Sequence, residues 1–397
     1  WIDSSAGEGF RKTLNKEFSS VWVFNLRGNQ RTQGELSRKE GGKIFGSGSR
    51  TPIAITILVK NPAKKGNAEI HYHDIGDYLT REQKLKIIRD FKSIKSRKME
   101  WEIIEPNKKG DWINQRGDEF DNLIPLAPEK KFDTKSQSVF CTNTNGDITH
   151  RDVWCYGSSR INLENRIERC IDFYNDEVAR CSACKNMSEF MSIVDLSPEK
   201  IKWDDKLYTH AYNGVLHSVS EGEFRVSHYR PFFKQHLFYD NSFNWSKYQL
   251  PKVLPKTDSE NFMICVSGAG VNKPFSCLIT EYTPDLEFSG KSQCFPLYWY
   301  EENKNQQGTL FDIGSEDKFI RRDGISDWIL KEVRSRFGNT KSLTKEHIFY
   351  YVYGLLHSEQ YRSKFAAELK KSLPRIPIVE RAEDFMSFYK AGKELAD

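Results

Sequence analysis

The stretch from Phe224 to Tyr248, FRVSHYRPFFKQHLFYDNSFNWSKY, constrains the fold of this chain more than any other. It holds nine aromatics and four cations, Arg225, Arg230, Lys234 and Lys247, against the single acid Asp240. Aromatic and β-branched residues suit a pleated, half-buried surface, so the stretch reads as a β-hairpin whose aromatics fill a core. The same mixture also suits a nucleic-acid surface. Cations neutralise phosphates and release counterions, and aromatic faces stack on exposed bases. The residues leave both readings open.

A chain of 397 residues has room for two or three domains and a substantial core. No apolar run approaches the roughly 20 residues a membrane span requires, and no basic-plus-apolar leader opens the chain. Eight scattered cysteines without a regular framework point to reduced thiols, and the expected location is the cytoplasm. The chain opens at Trp1 inside what reads as a structured element, so a piece of a longer protein is expected. The net charge of +5 is unevenly spread: residues 1–65 carry twelve Lys/Arg against five Asp/Glu, and residues 81–98 carry eight against two. Such local basic density suits a polyanion partner, and it suits a solvated face equally well.

Along the chain, Glu8 to Phe18 predicts an amphipathic helix and Val21 to Leu26 a strand. A polar, basic loop from Arg27 to Lys43 follows. The Gly-Ser turn then leads into an apolar run, Ile53 to Val59, patterned like a strand buried on both faces. Thr80 and Gln83 form a capping box at the head of a helix. Residues 101–126 read as a linker and Val139–Thr142 as a strand. Ile167, Cys170, Ile171, Tyr174 and Val178 recur at helical spacing, and Ser197-Pro198 reads as another helix start. Strands dominate from Glu223 to Tyr300, and from about residue 324 the pattern is helical.

Catalytic constellations are near-misses. Gly290-Lys291-Ser292 resembles the end of a phosphate loop, but Asp285 occupies the position of the required earlier glycine. Cys181 and Cys184 have metal-pair spacing without a second pair nearby and read as buried helix cysteines. Asp285, Glu302 and Lys304 have the order of a magnesium nuclease's carboxylates and lysine, which leaves a metal-dependent nuclease as the alternative function. The Thr-Pro-Asp turn explains Asp285 locally.

A series of motifs in consistent order resembles the C-terminal third of Type ISP restriction-modification enzymes. They include Leu26-Arg-Gly-Asn29, Asp74-Ile-Gly-Asp-Tyr-Leu-Thr-Arg81 and Gly110-Asp-Trp-Ile-Asn-Gln-Arg116. Further along stand Arg151-Asp-Val-Trp154, Tyr229-Arg-Pro-Phe-Phe-Lys234, Cys294-Phe-Pro-Leu-Tyr298 and Ile348-Phe-Tyr-Tyr-Val-Tyr-Gly-Leu-Leu-His357. The resemblance implies an α+β chain: the tail of an α/β methyltransferase sheet over 1–65, a connecting region over 66–125, and a mixed target-recognition domain over 126–397. The parent would join an N6-adenine methyltransferase to an ATP-driven translocase (helicase) and nuclease on the same polypeptide, using S-adenosylmethionine and ATP/Mg. The family's cofactor glycine motif and its Asn-Pro-Pro-aromatic motif are missing from this stretch, so no catalytic or cofactor-binding residue is expected in it.

The partner so implied is double-stranded DNA. By position, Phe45 matches the aromatic that stacks on a flipped target base, with packing beneath a hairpin as its other reading. The DNA-binding candidates are Arg31, Lys39, Arg50 and Thr51 near the start. In the recognition domain they are Arg151, Arg230, Lys234, Gln235, Asn272, Lys273, Arg321 and Arg322. Tyr229-Arg230 has a second reading, as a core strand with the arginine bound to a carboxylate.

Overall fold

A computed structural model describes the chain except for residues 47, 272, 304–317 and 339–341. The chain divides into two units. One comprises Trp1–Asn122, Ala269–Phe275 and Ser363–Ser372, and the other comprises Leu123–Gly268, Ser276–Arg362 and Leu373–Asp397. Both mix helices and strands, so the chain is α+β.

The first unit contains α1 (Glu8–Glu17), β1 (Ser20–Asn25), α2 (Gly34–Glu40), β2 (Ala54–Val59), β3 (Glu69–Asp74), α3 (Arg81–Phe91) and β4 (Glu102–Ile104). Its sheet has the order β2-β1-β3-β4, with β1 antiparallel to β2 and parallel to β3. Leu14, Val21, Val23 and Ile70 form one core layer, and Phe24, Leu26 and Ile75 with Phe91 form another. The capping box at Thr80 starts α3 as the sequence predicts. One turn on, the buried Lys84 donates to Leu26 O at 2.9 Å and Glu40 O at 2.6 Å, tying the helix to the exit of β1.

Two expectations are corrected here. The run predicted to be buried on both faces is an edge strand of the sheet, and Ile55, Ile57, Leu58 and Val59 are 37–42 % exposed. The basic loop contains a helix, α2. Past residue 65, β3 and β4 continue the same sheet. The sequence Glu-Ile-His-Tyr-His-Asp hid β3, its polar alternation having too little apolar contrast to mark a strand buried by its neighbours.

After β4 come β5 (Ile124–Pro125), β6 (Thr144–Asn145), α4 (Asp152–Cys155), β7 (Tyr156–Gly157), α5 (Arg160–Arg180), α6 (Met187–Ile193) and α7 (Asp205–Tyr212). The strand-rich part holds β8 (Glu223–Arg230), β9 (Phe233–Tyr239), α8 (Leu250–Val253), β10 (Met263–Val266), β11 (Cys277–Thr280), β12 (Thr283–Pro284), β13 (Gln293–Pro296), β14 (Tyr298–Glu302) and β15 (Phe319–Asp323). The chain ends with α9 (Asp327–Arg336), α10 (Lys345–His357), α11 (Glu359–Lys364), α12 (Ala366–Lys371), β16 (Arg375–Ile376) and α13 (Ala382–Ala396).

In the second unit two four-stranded sheets have the orders β12-β8-β9-β7 and β11-β10-β13-β6, and β14 pairs with β15 in a separate ribbon. The apolar stripe of α5 packs with Leu237, Phe238 and Phe243 beside the β8–β9 hairpin. Ser197-Pro198 makes only a turn. The next helix starts at Asp204, whose carboxylate accepts from Leu207 N just where the apolar repeat of α7 begins. Val139–Thr142 contributes a single bridge at Phe140. Helix α10 is buried all round from Ile348 to Leu356 and packs on α13. A Cβ on Gly354 would lie 2.1 Å from Phe388 O, so only glycine allows this approach.

Candidate nucleic-acid interface

At the carboxyl ends of the parallel strands β1 and β3 the first unit holds a crevice of about 620 Å³. Open α/β sheets bind ligands at such strand ends. Asn25 Nδ2 donates to Tyr72 Oη at 2.9 Å and Asp74 Oδ2 at 3.1 Å. Arg27, held at φ 54°, pairs with Asp74 at 2.7 Å and also with Asp77. The motifs Leu26–Asn29 and Asp74–Arg81 therefore form one polar frame. Sequence reasoning missed it because 47 residues separate Arg27 from Asp74.

This frame carries loops with exposed functional groups. Arg31, Lys39, Arg50 and Thr51 are all exposed. Arg31 Nη2 lies 3.5 Å from Thr51 Oγ1, and Gln30 N donates to Arg50 O at 3.1 Å, so the two loop segments stand together. Among the described residues no ion pair involves Arg31, Lys39 or Arg50. Arg81 Nε holds Ile44 O at 2.9 Å, with Ile44 buried and Phe45 turned out at 59 % exposure. Phe45 is thus not packed beneath a hairpin.

In the second unit the sequence candidates part company. Arg151 is 1 % exposed and donates to Lys202 O at 3.0 Å, Ser242 O at 3.4 Å and Phe243 O at 2.5 Å. Its Nη2 is 2.6 Å from Asp204 Oδ2, a close but poorly aligned pair. A guanidinium so enclosed reaches no base, and the expectation for Arg151 is corrected. Arg230 follows its second reading: it pairs with Asp285 at 2.7 Å and Asp152 at 3.6 Å, and its guanidinium lies over Tyr229. Lys234 is exposed, with Nζ 4.0 Å from the Tyr282 ring centre, and Gln235 is half-buried opposite Ser227.

Arg321 and Arg322 are exposed on the β14–β15 ribbon. Arg321 lies over Tyr298 and Arg322 pairs with Glu301 at 3.1 Å. Lys273 is exposed, but its segment belongs to the first unit and not to the second. Asn272 lies outside the described residues.

The alternative nuclease triad does not assemble. Asp285 is 4 % exposed and engaged by Arg230 and Glu287 N, whereas Glu302 stands on a different sheet; Lys304 is outside the described residues. Among the described residues no three His, Cys, Asp or Glu side chains are grouped to hold a metal ion.

Behind Asp285 sits Asp147, fully buried, accepting from Asn244 Nδ2 at 2.7 Å. Burial pushes its carboxyl up to about 8. The Asp285 and Asp152 charges add to this, against the Asn244 hydrogen bond and Lys247. The acid is neutral in the fold and ionises near pH 4 when unfolded, so its stabilising contribution is full below about pH 4 and fades as pH rises to about 8. Asp285, pushed up to about 6 chiefly by burial, works in the same direction. Asp147→Asn keeps the neutral shape and should flatten the fall in Tm between about pH 5 and 8. Thermal melts at intervals across that range check this, and parallel Tm curves for the two proteins would refute a neutral Asp147.

Residues 138–397 match the family described as Type ISP C-terminal specificity domain. No curated protein matches the chain. Among solved structures, a nuclease-deletion mutant of the Type ISP restriction-modification enzyme LlaGI in complex with a DNA substrate mimic shares 38 % identity at a TM-score of 0.84, covering 100 % of this chain and 28 % of its own. The ATP-dependent Type ISP enzyme LlaBIII bound to DNA shares 35 % at 0.84, and a DrdV–DNA complex shares 29 % at 0.83. Each covers 100 % of this chain, which spans 24 % of the LlaBIII chain and 36 % of the DrdV chain.

Proposed function

Because the chain belongs to the Type ISP C-terminal specificity domain family, we propose that it reads a specific duplex DNA sequence on behalf of a longer restriction-modification polypeptide. The observation that carries this reading is the family match over most of the second unit, supported by likeness to three chains solved with DNA. Specific binding needs phosphate contacts for register and base contacts for sequence. In the first unit the exposed Arg31, Lys39 and Arg50 supply the phosphate contacts, beside Phe45 as the stacking surface for an extruded base. In the second unit the β14–β15 ribbon, carrying Arg321 and Arg322, has the form a major groove admits.

The remaining activities belong to the whole polypeptide: N6-adenine methylation with S-adenosylmethionine, and ATP/Mg-driven translocation coupled to cleavage, in the cytoplasm. The family's cofactor glycine motif and its Asn-Pro-Pro-aromatic motif are missing from this chain's sequence. No chemical step is assigned to it. The exposed apolar residues of edge strand β2 suit packing by another part of the methyltransferase domain.

The test uses the full-length polypeptide, duplexes recovered from a random pool, and a salt series. Arg31→Ala and Arg50→Ala should each weaken all sequences alike and lower the salt slope by about one unit. Arg321→Ala or Arg322→Ala should cost roughly 1–3 kcal/mol at one base pair. Equal affinity of the wild type for recovered and scrambled duplexes would end the recognition reading.

A further inference from the structure

The β8–β9 hairpin turns over two residues, Pro231 and Phe232, with Arg230 paired to Phe233 across the turn. Phe232 has φ 59° and is 91 % exposed, more than any other large apolar side chain among the described residues. Proline followed by a left-handed residue is a turn in which glycine or asparagine belongs. Phenylalanine there carries backbone strain, and it also leaves a large ring in water. Folding gains nothing from this residue at this place.

The base of the hairpin is immobilised. Arg230 is clamped between Asp285 and Asp152, and Tyr229 Oη donates to Asp152 Oδ2 at 3.0 Å. His228 Nδ1 bonds Thr280 Oγ1 at 2.7 Å, and its ring stacks on Phe288. β8 also pairs with β12. The arginine of the turn is therefore spent inward on carboxylates, and the outward tip is Pro231, Phe232 and the 49 % exposed Phe233, flanked by exposed Lys234. A rigid apolar tip with a cation at its shoulder has the chemistry of side chains that enter a base step and unstack it.

We propose that Phe232 is a wedge that inserts into the bound duplex between adjacent base pairs and distorts it, with Lys234 on the neighbouring phosphate. This rests on the recognition reading and assigns the hairpin tip a part in it. The rule that strain marks function supports an occupant, and the family likeness to DNA-bound chains selects DNA over protein.

The experiment uses the full-length polypeptide and recovered duplexes carrying 2-aminopurine at successive positions. One position should brighten several-fold on binding the wild type and stay dark with Phe232→Asn, whose affinity should fall roughly 10- to 100-fold. Asparagine suits the left-handed turn, so this variant should melt no lower than the wild type. Phe232→Tyr should keep the bright position. Unchanged binding and fluorescence in Phe232→Asn overturns the wedge. So does lost ATP hydrolysis or methylation with binding and fluorescence intact, which would place the tip on a protein surface. Discrimination of recovered from scrambled DNA with no bright position defeats the wedge alone, whereas loss of discrimination in the wild type defeats both readings.

Discussion

Asp111→Ala should destabilise the first unit by about 3–5 kcal/mol, the scale of removing one partner from a buried ionic cluster. Asp111 is fully buried and takes Arg116 through Nε at 2.8 Å and Nη2 at 3.2 Å. Arg11 lies at 3.3 Å and Lys371 at 3.5 Å, and both are also buried. Burial alone would raise the Asp111 pKa. The hydrogen bonds from Arg116 and the Lys371 charge outweigh burial and hold the carboxyl well below its ordinary range. Alanine would leave the two cations on Arg11 and Lys371 enclosed without this carboxylate, and desolvated charge is expensive. Asp111→Asn keeps an acceptor but no charge and should lose less. A depressed carboxylate pKa stabilises the fold above the unfolded value of about 3.9, so the difference between wild type and Asp111→Asn should shrink only below about pH 4. Urea unfolding at neutral pH measures the effect. A loss under about 1 kcal/mol for Asp111→Ala would show that the cluster does not hold the unit together.

Arg151→Ala should cost a similar amount, about 3–5 kcal/mol, in the second unit. One guanidinium there satisfies carbonyls of two separate segments, Lys202 on one side and Ser242 with Phe243 on the other, and it neutralises Asp204. Its removal takes the guanidinium from all three carbonyls and from the Asp204 carboxylate. Arg151→Leu restores volume but no donor, so it should rescue little. Both variants should lose DNA binding only as the fold is lost, with no base pair singled out. Chemical denaturation in parallel with binding to single-mismatch duplexes separates the two accounts. An Arg151→Ala protein of wild-type stability that tolerates one mismatch would return this residue to the list of base readers.

These two residues show how far the sequence alone could be read. Much of what acts within a turn or two of chain was legible, although α2 and β3 were missed and Ser197-Pro198 starts no helix. The Thr80 capping box, the apolar stripe of α5 and the aromatic hairpin in Phe224–Tyr248 all appear as their spacing predicts. The order of short motifs was enough to indicate the family, which the match over residues 138–397 bears out.

What the sequence could not tell was where each cation points. Arg31, Arg151 and Arg230 all stand among the sequence's DNA-binding candidates, yet one faces water, one is enclosed by carbonyls and one is clamped by two carboxylates. The apolar run of β2 promised burial and became an edge, pairing with β1 on one side alone. Asp285, weighed with Glu302 and Lys304 only as the alternative nuclease site, is engaged by Arg230, 55 residues away. Local periodicity and capping are settled by neighbours in sequence. Charge pairing and solvent exposure are settled by residues tens of positions away, whose approach depends on strand order and helix packing. Only the tertiary structure decided those, and with them which arginines remain exposed.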